Sequence, residues 1–151
     1  MQRALFAASV LGIATVAVAS LPRAAAAQRT QIIPPGQNAT ATLSPGIKYG
    51  DIIYASGQLG TSRTQPDSTI QGQTKKALEN VKAVVEAGGS NMENVLQCTV
   101  FLVDLKDFAG MNAAYSAAFP KQPPARSTVV VAALVSPSAK LEVECIAAVP
   151  K

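Results

Sequence analysis

An arginine stands at the head of an apolar run near the C-terminus: PPARSTVVVAAL (123–134) places Arg126 directly behind two prolines and an alanine. A second apolar stretch, KLEVECIAA (140–148), returns with Glu142 and Glu144. Arginine keeps its charge and offers a planar fork of donors that matches a carboxylate. With a carboxylic acid beside it at the mouth of a strand pair, the arrangement suits a small acidic substrate. The chain has no histidine. That excludes Ser-His-Asp and Cys-His catalysis, histidine metal sites and the usual near-neutral proton shuttle. Acid–base work falls to carboxylates, lysine, tyrosine, cysteine or water.

Cys98 and Cys145 each sit inside an apolar run. Without histidine they make no zinc site, so no metal is expected. A disulfide needs facing side chains at short range, whereas cysteine also packs as a small hydrophobe. The reading adopted is two buried free thiols.

The elements that position these groups begin after a leader. Arg3, an apolar run from Leu5 to Ala19 and small residues through Ala27 follow the order of a secretory signal peptide. The run is shorter than the roughly 20 residues a spanning helix needs. Residues 1–27 are therefore expected to be removed, leaving an exported protein, periplasmic or secreted, with no membrane association after processing. Loss of Arg3 and Arg23 lowers the net charge from +4 to +2. No block of like charges remains, so a nucleic-acid partner finds no support.

Residues 28–40 are polar, rich in proline and glycine, and read as a flexible lead. One domain follows, over 41–151. Ile47 to Tyr49 and Ile52 to Ala55 flank Gly50-Asp51 as a hairpin, and Ser56-Gly57-Gln58 ends the second strand. Thr61 to Ser68 is a polar loop. Ser68 with Gln71 resembles a capping box for a helix whose face carries Ala77, Leu78, Val81, Val84 and Val85. Lys75/Glu79 and Lys82/Glu86 are spaced to pair on its solvent side, and Gly88-Gly89 stops it. Val95 to Val103 reads as a buried strand. Asp107 caps a second helix, 108–118, with Phe108, Met111, Tyr115 and Ala118 on one face. The order is β-β-α-β-α-β-β, an α+β fold with two helices on one face of a four-to-six-stranded mixed sheet. Valines along 127–131 and 141–147 would line an uncovered face, which predicts self-association.

At this point the chain resembles the RidA/YjgF family of reactive-intermediate imine deaminases. The resemblance is carried by PPARSTVVVAAL with KLEVECIAA, by IIYASGQLG (52–60), by ALENVKAVVEAGG (77–89) and by TVFLVDLKDFAGMNAAYSAAF (99–119). It spans about residues 40–149. It implies a chorismate-mutase-like domain, a homotrimer with clefts between subunits, and no cofactor. The implied reaction is hydrolysis of enamines and imines such as 2-aminoacrylate to a 2-keto acid and ammonia; the ligand is a small 2-imino or 2-keto acid. A non-catalytic binder of small carboxylates is the alternative. The RNA-cleaving role of some relatives is disfavoured by the charge and the absence of histidine.

The resemblance assigns Arg126 to the substrate carboxylate, and Glu142 to the reacting centre, where it would position water and move a proton. Asn112 and Gly57 match residues near the ligand, and Ser127 is expected at the subunit boundary. Glu144 is expected to be an ion-pair partner. Thr128 lies in the ligand pocket where many members carry a cysteine, so no thiol is available there. Leu43 replaces a common aromatic residue, and LVSPSAK (134–140) has one extra residue.

Overall fold

Gly50 opens the central hairpin with φ +59°, while no non-glycine residue among those described has positive φ. A positive φ at the first turn residue alone is the two-residue hairpin geometry that follows the natural strand twist. Strand β2 (Gly46–Tyr49) therefore returns as β3 (Ile52–Leu59), with Tyr49 opposite Ile52. The computed structural model describes residues 28–61 and 68–151. The expected leader over 1–27 and most of the polar loop after Thr61 lie outside the described residues.

Two expectations for this region are corrected. The lead is not all irregular: β1 (Arg29–Ile32) pairs antiparallel with β2, Thr30 opposite Lys48. The free edge of β2 supplies its backbone partners, and Ile32 joins the core. Nor does β3 end at Ser56. It bulges between Ala55 and Gln58 and continues to Leu59. A bulge admits extra residues without ending the strand.

Helix α1 (Ile70–Ala87) buries Ala77, Leu78, Val81, Val84 and Val85, the face read from the sequence. Its cap is Thr69 and not Ser68: the Thr69 Oγ1 accepts from the Gly72 N–H at 3.1 Å, one of the amides a helix start leaves without an internal partner. On its solvent side Lys82 pairs with Glu86 at 3.7 Å, but Glu79 meets Lys76 at 4.0 Å in place of Lys75. Exposed pairs of this kind add roughly 0.3–0.5 kcal/mol each.

A β-α-β unit follows. Strand β4 (Val95–Leu102) leads into α2 (Phe108–Ala118), which returns the chain to β5 (Ala125–Val130), parallel to β4. Parallel neighbours need such a crossover. Met111 and Tyr115 are buried, whereas Phe108 is 39% exposed. Asp107 stands at the helix start but makes no cap bond; its carboxylate accepts from Lys140 Nζ at 3.3 Å.

Strand β6 (Leu141–Ala148) completes a six-stranded mixed sheet in the order β1-β2-β3-β6-β4-β5. The two C-terminal strands are thus not a pair. β4 lies between them, antiparallel to β6 on one side and parallel to β5 on the other. Both helices cover one sheet face, α1 packing on α2, β3 and β6. Val143 faces these helices in the core, so the helix-free face of β6 carries Glu142, Glu144 and Ile146 and not a row of valines. Leu141 is fully buried, and its truncation to alanine would cost roughly 2–5 kcal/mol.

The thiols are not free. Cys98 and Cys145 are direct partners across β4 and β6 and form a disulfide, with Cα atoms 4.1 Å apart. Both side chains point into the core. Each strand looked like ordinary apolar packing on its own; the antiparallel register placed the two sulfurs face to face.

Candidate functional site

Arg126 is the second residue of β5, at the edge of the sheet. Its register partner is Cys98, whose side chain is buried beneath the helices, so Arg126 turns toward α2. The guanidinium lies over the Tyr115 ring, 4.5 Å from the centroid, and its Nη1 approaches Met111 Sδ at 3.9 Å. The aromatic face attracts the cation. Tyr115 in turn packs against Phe119 in a tilted arrangement, with ring centroids 4.8 Å apart. No carboxylate among the described residues pairs with Arg126.

Thr128 is two residues along β5 and shares that face. Its Oγ1 and the Tyr115 hydroxyl are buried with no hydrogen-bond partner among the described residues. Burial pushes the Tyr115 phenol up to about 12, against the lowering effect of the Arg126 charge. A buried hydroxyl without a partner is costly unless a ligand, water or another chain completes it. Asn112 follows Met111 in α2 and is half buried. The cluster is therefore a held cation with neutral polar groups around it, suited to one carboxylate.

Glu142 stands elsewhere. Along β6, Leu141, Val143 and Cys145 are buried beneath the helices and alternate with Glu142 and Glu144, which puts both acids on the helix-free face. Glu142 lies between Leu59 of β3 and Phe101 of β4. Its carboxylate fills the space above Gly57: a Cβ at that position would come 1.8 Å from Glu142 Oε1. Only glycine allows this approach, which explains the residue at the bulge. Glu142, Glu144, Phe101 and Val131 help line an open cavity of about 310 Å³. Glu144 is exposed and has no ion-pair partner among the described residues, contrary to the role expected for it. Ser127 also falls on the helix-free side, opposite Thr99.

Arg126 and Thr128 thus share the helix-covered side, with Asn112 in the helix above it, and Glu142 with Gly57 lie on the other. The sheet separates the two groups within one chain. Tyr115 was read from the sequence only as a core residue, since its helical spacing carries no sign of an arginine above it. Leu43 is 55% exposed and lines a polar cavity of about 450 Å³ with Ser56, the neighbour of Gly57. Among the described residues no group of three histidine, cysteine or acidic side chains is placed to hold a metal ion. No helix among them is long and apolar enough to cross a membrane.

Comparison with known proteins agrees with this architecture. Residues 35–149 match the family model described as Endoribonuclease L-PSP. The 2-iminobutanoate/2-iminopropanoate deaminase of Escherichia coli K12 is 39% identical over 119 residues, 74% of this chain and 92% of its own. The crystal structure of the E. coli YjgF gene product superposes with a TM-score of 0.72 at 35% identity, over 79% of this chain and 98% of that one. E. coli TdcF, solved with bound serine, gives 0.69 at 34% identity, over 82% and 98%. Its sheet order, its two helices on one face and this run of matches make the chain a member of the RidA/YjgF (Endoribonuclease L-PSP) family.

Proposed function

We propose that this protein hydrolyses small 2-imino acids and their enamine tautomers, such as 2-aminoacrylate, to 2-keto acids and ammonia. The observation that carries the reading is Arg126: a half-buried arginine, stacked on Tyr115, without a carboxylate partner among the described residues and flanked by two unpartnered hydroxyls. A substrate carboxylate supplies the missing partner, and Thr128 donates to it. Membership of a family with deaminases among its relatives supports the choice of reaction.

Glu142 and Arg126 act on one substrate only if they come from different copies, because the sheet stands between them in a single chain. A homotrimer with clefts between subunits meets that requirement, and the unpartnered helix-free face is the surface it would use. Arg126 of one copy orients the carboxylate. Glu142 of the next accepts a proton from water as the water oxygen attacks the protonated imine carbon. The resulting carbinolamine collapses: its nitrogen leaves as ammonia after taking up a proton, and the hydroxyl becomes the keto oxygen. Imines hydrolyse in water unaided, so positioning and proton transfer suffice. Asn112 and the Gly57 backbone complete the binding surface.

Export belongs to the same proposal, on the order of charges and apolar residues in 1–27. The Cys98–Cys145 disulfide supports it, since such bonds persist in oxidising compartments. A non-catalytic small-carboxylate binder is the second reading, favoured by the bound serine in TdcF. The deciding experiment generates 2-aminoacrylate in situ and follows keto-acid release with and without the protein. Acceleration over buffer supports the deaminase. Binding of a keto acid without acceleration leaves the binder.

A further inference from the structure

Two rows of side chains cross the helix-free face at Glu142, and they differ in character. Glu142 lies opposite Phe101 on β4, which lies opposite Val129 on β5. Two residues further along β6, Glu144 lies opposite Thr99, and Thr99 opposite Ser127. The first row is therefore an acid followed by apolar groups, and the second an acid followed by two hydroxyls. Among the described residues, neither those hydroxyls nor the Glu144 carboxylate has a hydrogen-bond or ion-pair partner. Residues i and i+2 of a strand stand on one face about 6.5–7 Å apart, which sets the distance from one row to the next.

Both acids line the same open cavity of about 310 Å³, a volume within the range of small-ligand sites. Its other walls are apolar, Phe101 from β4 with Val131, Leu134 and Val135 from the segment after β5, and no lysine or arginine lines it. Two carboxylates without a cation repel a further acid. The cavity suits a run of methylenes along the apolar wall with a positive charge at its end, as lysine and arginine lie on apolar surface and keep their heads polar. An ammonium has three protons to donate, and the Glu144 row offers a carboxylate and two hydroxyl oxygens. A side chain of about three or four methylenes leading from an imine carbon at Glu142 reaches that row.

We propose that Glu144 is a specificity-determining residue that selects 2-imino acids whose side chains end in an ammonium or guanidinium group. This rests on the deaminase reading and adds a substrate class to it. Arg126 of one copy holds the carboxylate, Glu142 of the next faces the imine carbon, and Glu144 of that same copy takes the side-chain cation. The ion-pair partner that Glu144 lacks within the chain is then the substrate.

Calorimetry on the full-length protein at low salt tests it with three stable six-carbon carboxylates as probes: hexanoate, 6-aminohexanoate and hexanedioate. The amino acid should bind about tenfold more tightly than hexanoate, as one charge-assisted hydrogen bond provides, and hexanedioate should bind more weakly than either. Glu144→Gln should bring the first ratio close to one and Glu144→Asp should restore part of it, with Tm unchanged in both because Glu144 is exposed. The same ratio is then read in kcat/KM with the imines that an amino-acid oxidase forms from arginine and norleucine. A wild-type ratio near one, or a ratio that Glu144→Gln does not alter, overturns the cation site; continued acceleration of 2-aminoacrylate hydrolysis then leaves the deaminase reading intact. Failure of all three probes to bind, with no acceleration of 2-aminoacrylate hydrolysis, overturns the two together.

Discussion

Tyr115 carries Arg126 on its ring: the guanidinium carbon lies 4.5 Å from the ring centroid, and the two residues are held there by consecutive elements of the chain. The tyrosine comes from α2 and the arginine from the edge strand that α2 leads into. A flexible side chain is thereby held in one place, which lowers the ordering entropy of any group that binds to it.

Loss of the fork should be more damaging than loss of the phenol hydroxyl. Arg126→Ala is expected to abolish keto-acid binding and imine hydrolysis. Arg126→Lys keeps the charge without the bidentate geometry, and kcat/KM should fall by about tenfold or more. Tyr115→Phe removes a hydroxyl with no partner among the described residues and keeps the stacked ring, so stability should change by less than about 1 kcal/mol. Denaturant titrations and steady-state kinetics on the three variants check the order.

Glycine at 57 is required by Glu142 and not by the backbone. Gly57→Ala would bring a methyl to 1.8 Å from the Glu142 carboxylate. The carboxylate must swing away, since it is the end of a flexible side chain. Activity should fall toward that of Glu142→Gln, with a stability loss of about 1–3 kcal/mol. An active Gly57→Ala enzyme with normal kcat would remove Glu142 from the reaction.

Mixed assemblies test the separation of the two groups by the sheet. Arg126→Ala and Glu142→Gln should each be inactive alone. Co-refolded, they should regain part of the activity, because some clefts then combine an intact arginine with an intact glutamate. Native mass measurement of the same sample reports whether the particle is a trimer. Absence of recovery in a confirmed mixed trimer would place both groups on the same copy.

Reduction should weaken the fold. The Cys98–Cys145 bond closes a loop with a sequence separation of 47, worth about 4 kcal/mol by chain entropy. A thermal scan with and without reductant should show a lower Tm in the reduced protein. Intact mass after alkylation without reductant should show no modified cysteine.

Alkaline pH should act through Tyr115. Its folded-state value of about 12 lies above the ordinary 10.0 because burial disfavours the phenolate, with Arg126 pulling the other way. Folding thus favours the neutral phenol. That contribution is complete below pH 10 and is lost as the pH rises toward 12. The denaturant midpoint should fall across this window, and Tyr115→Phe should fall less.

Local pattern was enough for much of the molecule. Helical spacing from Ala77 to Val85 and the apolar length of 95–103 foretold α1 and β4, because each depends on which residues turn inward along one element. Gly50-Asp51 announced its hairpin through backbone geometry alone. The motif around Arg126 also identified the family, since side-chain types in order are a property of the chain. Pairing between distant strands was not legible. Nothing in 28–40 showed that Arg29–Ile32 would find the free edge of β2. Nothing in KLEVECIAA showed that β4 would separate it from Arg126, or that register would join Cys98 to Cys145. Sequence by itself determined which residues were available to bind a carboxylate and move a proton. Tertiary structure alone decided which face of the sheet each one occupies, because one residue of register exchanges the two faces of every strand.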